Sequence, residues 1–423
     1  MSIGNARIMD LPEDLHLHNQ DFNIVVAIFY VSCIICAVPA NLAVQISKPS
    51  VFLGGLAFAG GVVTICGALV QGFAGLVAIR FLLGISQTGV QAGSILLLTA
   101  FYPKVVLHKR ISAVLASRLV ANACGGLIAY ATTYLDGKAG FASWRWLFVM
   151  EGVFICLAGL LALAFVPRWP EHVGFLNGKE KLALLKDVEG DASHHSDTTS
   201  GWTLLKEVLE EPKLYFGIVL QFCCTAMSSS SVVFLPTVLR AFGWSKLKSL
   251  GMTAPVFLAA FLVICLIGAA SDHKRLRYPF CAGSLILIIV AYGVLLAARH
   301  VSVAVRYLAC FWLISGAFAA HATALVWLSN NFADRRRRGL ALGIVTTLGG
   351  CGFLLGSNVY VERESPFYAA GFAICLGLAV IALATASAQL VYFVWNNKRK
   401  AKGNDGESLD AFRIAGRRRR DVY

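Results

Sequence analysis

Residues 75–101 read GLVAIRFLLGISQTGVQAGSILLLTAF, an apolar stretch longer than the about 20 residues that a bilayer-spanning helix needs. An arginine lies inside this stretch. At 3.6 residues per turn, one face of the helix carries its polar and small residues, namely Arg80, Gly84, Gln87, Gln91 and Ser94. Because a charge exposed to lipid is costly, we expect this polar stripe to face protein or water.

The composition places the whole chain outside the soluble class. Of its 423 residues, 57% are hydrophobic and only 14% are charged, and the mean hydropathy is strongly positive. These values predict an all-α polytopic membrane protein with about eleven transmembrane helices. The predicted spans are residues 22–46, 51–71, 74–101, 111–134, 146–166, 214–239, 250–271, 279–298, 303–330, 339–360 and 367–395.

The net charge of +14 follows the membrane topology and does not indicate a nucleic-acid partner. Of the 37 Lys and Arg residues, 26 lie in one set of alternate loops and nine in the opposite set. The positive-inside rule assigns the basic loops to the cytoplasm. We therefore expect a multi-pass protein of the lipid bilayer with a cytoplasmic C-terminus and, for eleven spans, an N-terminus outside.

One long connection, residues 167–213, divides five spans from six. Its core is polar and predicts a mobile cytoplasmic linker. The predicted domains are an N-terminal helical bundle at 1–166, this linker, a C-terminal six-helix bundle at 214–395 and a basic cytoplasmic tail at 396–423. A plan of two related bundles is typical of secondary transporters.

Arg118 and Asn122 lie one turn apart on a face of the span at 111–134. Arg118 has two interpretations. Its side chain either snorkels to the cytoplasmic interface, about 10 Å away by helical rise, or adds a second positive charge to a cavity. Near the start of the next span, Arg145 and Glu151 are expected to form a structural pair close to the outer surface.

In the second half, Gln221 begins a row of polar residues at helical spacing that could line a pore. Further along the same span, Phe234-Leu-Pro-Thr237 is expected to interrupt the helix. His321 lies near the middle of a later span. It is either a buried neutral histidine with one partner or a titrating proton site, because imidazole changes charge near neutral pH.

The sequence shows no pattern typical of a metal site, a cofactor site or an enzyme. Cys33 and Cys36 have redox or zinc spacing but lack a second ligand pair. His194 and His195 lie in the polar linker without accompanying ligands. No nucleophile–base pair or phosphate-binding loop is evident, so we expect neither catalysis nor a bound cofactor.

Seven motifs in order give the chain a resemblance to a known family. They are Ile3-Gly-Asn-Ala-Arg7, Val38-Pro-Ala-Asn41, Arg80-Phe-Leu-Leu-Gly84, Trp144-Arg-Trp-Leu-Phe-Val-Met-Glu-Gly152, Phe234-Leu-Pro-Thr237, Asn330-Asn331 and Gly356-Ser-Asn-Val-Tyr360. The chain resembles the major facilitator superfamily and, within it, the anion:cation symporter family, closest to fungal allantoate-permease-type carriers.

The resemblance implies a two-bundle, monomeric carrier of the plasma membrane. Such a carrier takes up small organic anions, such as allantoate, nicotinate, pantothenate or biotin, together with protons by alternating access. Arg80 matches the family's arginine that pairs with the substrate carboxylate. The chain has Gln87 and Ala37 where the family usually has glutamate, and because the family has twelve spans, we expect that the first transmembrane helix is missing.

Two hypotheses about function remain open. The first is a proton-coupled secondary transporter of small organic anions, with these substrate-binding residues: Arg80, Gln87, Gln91, Arg118, Asn122, Gln221 and Asn358. His321 is its possible proton site. The spans then hold two arginines and no carboxylate near mid-membrane, so an anion would relieve an uncompensated positive cavity. The second hypothesis is a substrate sensor or a non-transporting relic of such a carrier.

Overall fold

The computed structural model describes residues 3–18, 21–101, 104–167, 201–274, 276–332, 335–360 and 367–402, together with residues 169, 178 and 364. In this part of the chain the regular structure is helical throughout. The helices are α1 (Ile3–Arg7), α2 (Leu11–Asp14), α3 (Asp21–Ile46), α4 (Pro49–Gly67), α5 (Phe73–Phe101), α6 (Lys104–Thr132), α7 (Ser143–Phe165), α8 (Gly201–Leu209), α9 (Pro212–Ala241), α10 (Lys246–Gly251), α11 (Thr253–Lys274), α12 (Tyr278–Leu296), α13 (Val303–Asn330), α14 (Arg335–Gly350), α15 (Gly352–Asn358) and α16 (Ala369–Lys402).

The helices confirm the all-α, multi-pass architecture. Within the described ranges, nine helices are long and apolar enough to cross a membrane. Residues Asp21–Cys36 of α3 form a shorter apolar helical segment. Helices are the expected form, because in hydrocarbon each backbone N–H and C=O must find its partner inside the segment. The number of eleven spans stays a prediction.

The chain forms two compact units. The first consists of Met1–Ser196, Ser229–Leu258 and Phe353–Tyr368. The second consists of Asp197–Ser228, Ala259–Gly352 and Ala369–Tyr423. Each unit contains segments from both sides of the predicted linker, and the division of the chain at residues 167–213 stays a prediction.

In the first unit, glycines let α4 and α7 pack backbone against backbone. A Cβ atom on Gly61 would lie 2.6 Å from the backbone nitrogen of Cys156 and 2.8 Å from the carbonyl oxygen of Gly152. About two helical turns earlier, a Cβ atom on Gly54 would lie 2.7 Å from the backbone nitrogen of Leu163. Small residues are what allow membrane helices to approach this closely.

The N-terminal residues of the first unit pack on α9 and α10. A Cβ atom on Gly4 would clash with the carbonyl group of Val233, so α1 crosses α9 at backbone contact. Close by in sequence, the carboxylate of Asp10 forms an ion pair with Lys246 at the start of α10. Two short helices are thereby fixed to the unit by packing and by charge.

The predicted interruption of the helix at Phe234–Thr237 is wrong. Helix α9 continues from Pro212 to Ala241 with Pro236 inside it. Proline removes one backbone hydrogen bond, and a membrane helix that is packed among its neighbours can absorb that loss. Residues around Pro236 are buried, which is the setting in which this tolerance is expected.

In the second unit, α8 lies within the predicted linker and packs on the end of α13 and on the middle of α14. Val208 of α8 is fully buried in a cluster with Leu214, Leu328, Phe332, Ala341 and Val345. Glu207, the residue before it, forms a 2.6 Å ion pair with Arg337 of α14. The linker core at 189–201, apart from Gly201, lies outside the described residues.

The second unit also holds a break between α14 and α15. Helix α14 ends at Gly350, and the last carbonyls of a helix lack partners within it. The hydroxyl of Thr225 on α9 donates a 2.5 Å hydrogen bond to one of them, the carbonyl oxygen of Gly349. A Cβ atom on Gly352 would clash with the carbonyl group of Phe222, so the break packs directly on α9.

Candidate functional site

A partly buried cluster of charged and polar side chains lies in the first unit, where α3, α5, α6 and α7 each contribute one side chain. Its centre is Arg80, which is only 6% exposed. Glu151 on α7 and the phenol of Tyr30 on α3 interact electrostatically with Arg80, and Arg118 on α6 interacts with the same tyrosine. We call Arg80, Tyr30, Arg118 and Glu151 the Arg80 cluster.

Three members of the Arg80 cluster lie at similar distances along their helices. Short connections join the consecutive helices, so the alternate helices α3, α5 and α7 run in the same direction. Helical rise places Tyr30 about 13 Å, Arg80 about 10 Å and Glu151 about 12 Å from the first residue of its own helix.

The ring of Tyr30 is held by an aromatic partner. It lies parallel to the ring of Phe353 on α15, with ring centroids 4.8 Å apart and an angle of 1° between the ring planes. Aromatic rings at this separation attract each other beyond the area they bury. The stack therefore fixes the ring of Tyr30, on which the charges of Arg80 and Arg118 act.

Arg118 lies deeper in its helix than the sequence predicted. Helix α6 begins at Lys104, not near residue 111, so Arg118 is at its midpoint. Both interpretations of Arg118, snorkelling to the interface or lining a cavity, stay predictions.

Glu151 acts electrostatically on Arg80, and the expectation that no carboxylate lies near mid-membrane stays a prediction. The predicted pairing of Glu151 with Arg145 is not found. The Arg145 guanidinium donates a 2.6 Å hydrogen bond to the carbonyl oxygen of Ala68 and lies 4.4 Å from the centre of the Trp144 ring. Arg145 thus ties α7 to the end of α4.

The polar stripe of α5 faces α3 at two of its positions. Tyr30 acts electrostatically on Arg80, and a Cβ atom on Gly84 would lie 2.5 Å from the carbonyl oxygen of Phe29. Gln87, further along the stripe, is half-buried. Gln91 belongs to the helix, but its side chain lies outside the described part of the chain.

The two predicted asparagines differ in their surroundings. Asn122 is half-buried on α6, one turn beyond Arg118. Asn358 is exposed at the end of α15, where its amide donates to the carbonyl oxygen of Leu354 at 2.8 Å and to the hydroxyl of Ser357 at 3.1 Å. The Asn358 amide is thus bonded within its own helix, and a substrate contact at either residue stays a prediction.

The second unit brings Gln221 of α9 together with His321 of α13. The Gln221 amide nitrogen lies 2.9 Å from Nε2 of His321, so the amide donates to a ring nitrogen that carries no proton. Gln221 is only 3% exposed, and within the described ranges its oxygen Oε1 has no hydrogen-bonding partner. Rotating the amide by half a turn would present that oxygen to a protonated ring. Gln221 can therefore form a hydrogen bond with His321 in both of its protonation states.

Sequence reasoning missed Tyr30 and Phe353, and it placed Glu151 at the outer surface. Tyr30 sits on an almost uniformly apolar helix, and no local pattern distinguishes it from a packing residue. Glu151 did carry a signal, because residues 22–135 contain no Asp or Glu and Glu151 is the only carboxylate in helices α4 to α7. A single carboxylate in a set of membrane helices that contains two arginines is expected to lie near one of them.

Comparisons with known proteins agree with this architecture. The transporter prlL of a fungal species (strain NRRL 50135), described as an MFS transporter, is 30% identical over 421 residues, covering 96% of this chain and 85% of its own. A high-affinity nicotinic acid transporter of Saccharomyces cerevisiae is 24% identical, covering 95% of this chain and 74% of its own. The crystal structure of a D-xylose-proton symporter superposes with a TM-score of 0.71 at 16% identity, covering 92% of each chain.

The family assignment rests on most of the chain. Residues 2–357 match the sequence profile of the Major Facilitator Superfamily. The same residues supply the Arg80 cluster and the Gln221–His321 pair. The chain therefore belongs to the major facilitator superfamily and is a multi-pass membrane transporter of that type.

Proposed function

We propose that this transporter carries small organic anions with a carboxylate group, coupled to protons, by alternating access, as anion:cation symporters of the allantoate-permease type do. The observation that carries the proposal is Arg80, a buried arginine on a membrane helix. Glu151 and Tyr30 act electrostatically on its guanidinium. An incoming carboxylate would supply the two parallel hydrogen bonds for which a guanidinium is suited.

Other residues are proposed to complete the substrate site. Arg118 and Asn122 lie on one face of α6, and Gln87 and Gln91 continue the stripe that Arg80 begins. Gln221 and Asn358 offer amides in the second half of the sequence. Amides suit substrates such as allantoate or pantothenate, which carry hydrogen-bonding groups besides the carboxylate.

The relative described as a nicotinic acid transporter supports the carboxylate class. Nicotinate is a planar monocarboxylate, and nicotinamide has the same ring with an uncharged amide. The two compounds therefore form a matched pair that differs in the group Arg80 is proposed to bind.

The test is uptake by the purified protein in lipid vesicles, with radiolabelled nicotinate, allantoate, pantothenate and biotin, and nicotinamide as the neutral control. We expect at least one carboxylate to accumulate when the outside is more acidic, and nicotinamide to show no carrier-dependent uptake. Uptake of none of the carboxylates would contradict the proposal.

The substitution of the family's usual glutamate by Gln87 favours a second candidate function, a substrate sensor or non-transporting relic. A sensor would bind a carboxylate without moving it. Thermal stabilisation of the purified protein by a carboxylate that never enters the vesicles would therefore select the sensor.

His321→Gln is expected to remove the part of the pH dependence of uptake that lies between about pH 5 and pH 8, since imidazole titrates there and an amide does not. This prediction follows from the proposal that His321 is a proton site and that Gln221 hydrogen-bonds to it in its neutral and its protonated form. The measurement is initial uptake rate against pH, with His300→Gln, at an exposed position outside the spans, as the control. An unchanged pH profile in His321→Gln removes His321 from the mechanism.

We also propose that the carrier is a plasma-membrane monomer, as the family resemblance implies. Its C-terminus is proposed to lie in the cytoplasm, because the basic residues concentrate in one set of alternate loops and in the tail. An epitope tag at the C-terminus should then react with its antibody only after the membrane of intact cells is permeabilised.

A further inference from the structure

We propose that residues 3–17 form a gate at the outer end of the first unit, and that the ion pair between Asp10 and Lys246 holds this gate closed until transport opens it. We call these residues the outer gate. The inference rests on the alternating access in the proposed function, because a carrier of that kind must open to the outside. The loops at this end of the helices carry few basic residues, and the positive-inside rule assigns them to the outside.

One side of the outer gate is anchored to α3 and α7. The indole N–H of Trp144, a fully buried residue at the start of α7, donates a 2.8 Å hydrogen bond to the carboxylate of Asp14. The guanidinium of Arg7 lies 4.6 Å from the ring centre of Phe22 on α3, a distance at which a cation and an aromatic ring attract each other. These contacts can persist while the other side of the gate moves.

The other side of the outer gate lies on α9 and α10. Gly4 packs against the backbone of α9, and the Arg7 guanidinium lies 5.4 Å from the ring centre of Phe234 on the same helix. The carboxylate of Asp10 reaches the ammonium of Lys246 on α10. All of these residues belong to the first unit. The gate thus bridges two pairs of helices, α3 with α7 and α9 with α10.

Neither member of the ion pair is placed for the benefit of its own helix. Asp10 stands at the N-cap of α2, where an aspartate usually accepts a backbone N–H of the helix, yet it makes no side-chain cap hydrogen bond. Lys246 is the first residue of α10, where a positive charge is unfavourable and where Ser245 already accepts a backbone N–H as the cap. The ion pair between Asp10 and Lys246 accounts for both placements.

The backbone of Asp10 is left-handed, with φ 68° and ψ 18°. Few residues other than glycine adopt this conformation, although Asp and Asn tolerate it because their short side chains bond locally. Residues held in this way concentrate at ligand clamps and switch regions. The conformation therefore supports a switching role for Asp10, and it makes Asn the replacement that removes the charge and keeps the backbone.

The ion pair is exposed, which suits a contact that must break and form again in each cycle. The side chain of Lys246 is 41% exposed and that of Asp10 is 53% exposed. Exposed ion pairs contribute little to stability, because water screens the two charges and the side chains lose freedom when they pair. The pair can therefore shift the equilibrium between the closed and the open gate by up to about fivefold without locking the gate shut.

The first test measures how often the gate opens. Met9 is 3% exposed and precedes Asp10, so a cysteine in its place is protected from a soluble maleimide while the gate is closed. The reference protein is Met9→Cys in lipid nanodiscs, where both membrane faces are accessible, and mass spectrometry of the peptide reads labelling at position 9 alone. We expect Asp10→Asn in this protein to raise the labelling rate about two- to fivefold. An unchanged rate would overturn the inference.

Further variants show whether the effect comes from the pair. Lys246→Gln should raise labelling like Asp10→Asn, and the double variant should equal each single one, because the second change removes a contact that is already lost. Additive effects would overturn the ion pair as the closing contact. Lys248→Gln is the matched control, since it removes an exposed lysine of the same helix that lies over the ring of Trp244. It should label at the reference rate, and an equal rise in this control would also contradict the proposal.

Salt gives the same test without any change at the pair. Mobile ions screen exposed charges, so raising the ionic strength from about 0.05 M to about 0.5 M should raise the labelling rate of Met9→Cys. The double variant of Asp10 and Lys246 should not respond. A labelling rate of Met9→Cys that is independent of salt would contradict the proposal even if the variants of the pair failed to fold.

Cross-linking tests whether the gate must open for transport. Asp10→Cys and Lys246→Cys are combined and joined by bifunctional thiol reagents of graded length that a reductant removes. We expect uptake of the carboxylate that the panel identifies to stop on cross-linking and to return on reduction, with the parent, treated alike, as the control. Failure of every reagent to join the two positions would contradict their contact.

The outcomes separate the two proposals. Full uptake by the cross-linked protein overturns the inference and leaves the proposed function intact. If the parent takes up no carboxylate of the panel, the proposed function fails. The labelling measurements need no substrate, so they then decide by themselves whether the ion pair closes the gate.

Discussion

Arg80→Lys is expected to lower carboxylate uptake by about 10- to 100-fold while the protein still inserts and folds. Lysine keeps the positive charge, but its ammonium is a point charge and cannot form the paired hydrogen bonds of a guanidinium. A hydrogen bond to a charged group is worth about 1.5–3 kcal/mol, and losing one of two gives a factor in this range. The measurement is the initial rate of uptake of the carboxylate that the panel identifies.

Arg240→Lys is the matched control, because it makes the same change at an exposed position at the end of α9, where the guanidinium bonds to the carbonyl oxygen of Trp244. It should transport like the parent. Arg80→Lys with parental uptake would show that the paired hydrogen bonds are not needed, and the assignment of Arg80 as the carboxylate-binding residue would be wrong. Equal amounts of both variants in the membrane exclude a folding defect.

Much of the fold followed from the sequence because membrane helices are specified locally. The length and apolar character of residues 75–101 required a helix, and the structure has α5 at Phe73–Phe101. Helix bounds were less predictable, since a helix can extend beyond its apolar part. Helix α6 begins at Lys104 for this reason, earlier than the span predicted at 111–134.

The candidate site was only partly predictable, because periodicity shows which residues share a face of one helix but not which helix lies opposite. The stripe headed by Arg80 was visible in the sequence, whereas Tyr30 and Glu151 came to it through tertiary packing. Gln221 and His321 were both selected from the sequence, but they are separated by 100 residues, and their 2.9 Å contact could not be derived from spacing.

The same limit applies to glycine. A glycine-rich helix predicts close packing somewhere along its length but does not say which glycine is essential. In α4 the structure distinguishes two of them. Gly61 lies against the backbone of α7, while a Cβ atom on Gly55 would have nothing within 4 Å.

Gly61→Ala is therefore expected to destabilise the first unit by about 1–3 kcal/mol, the usual cost of overpacking. The added methyl group would lie 2.6 Å from the backbone nitrogen of Cys156, and backbone cannot rotate away as a side chain can. Helices α4 and α7 would have to separate, which also shifts Glu151 relative to Arg80. The measurements are the thermal unfolding temperature of the detergent-purified protein and the rate of uptake, both of which should fall.

Gly55→Ala makes the same change in the same helix and should act in the opposite direction. Alanine favours a helix over glycine by about 1 kcal/mol, and at an open position nothing offsets that gain. We expect an unfolding temperature equal to or above that of the parent, with parental uptake. If both variants lost stability equally, the cost would come from the composition of α4, and the close contact with α7 would not be what requires glycine at position 61.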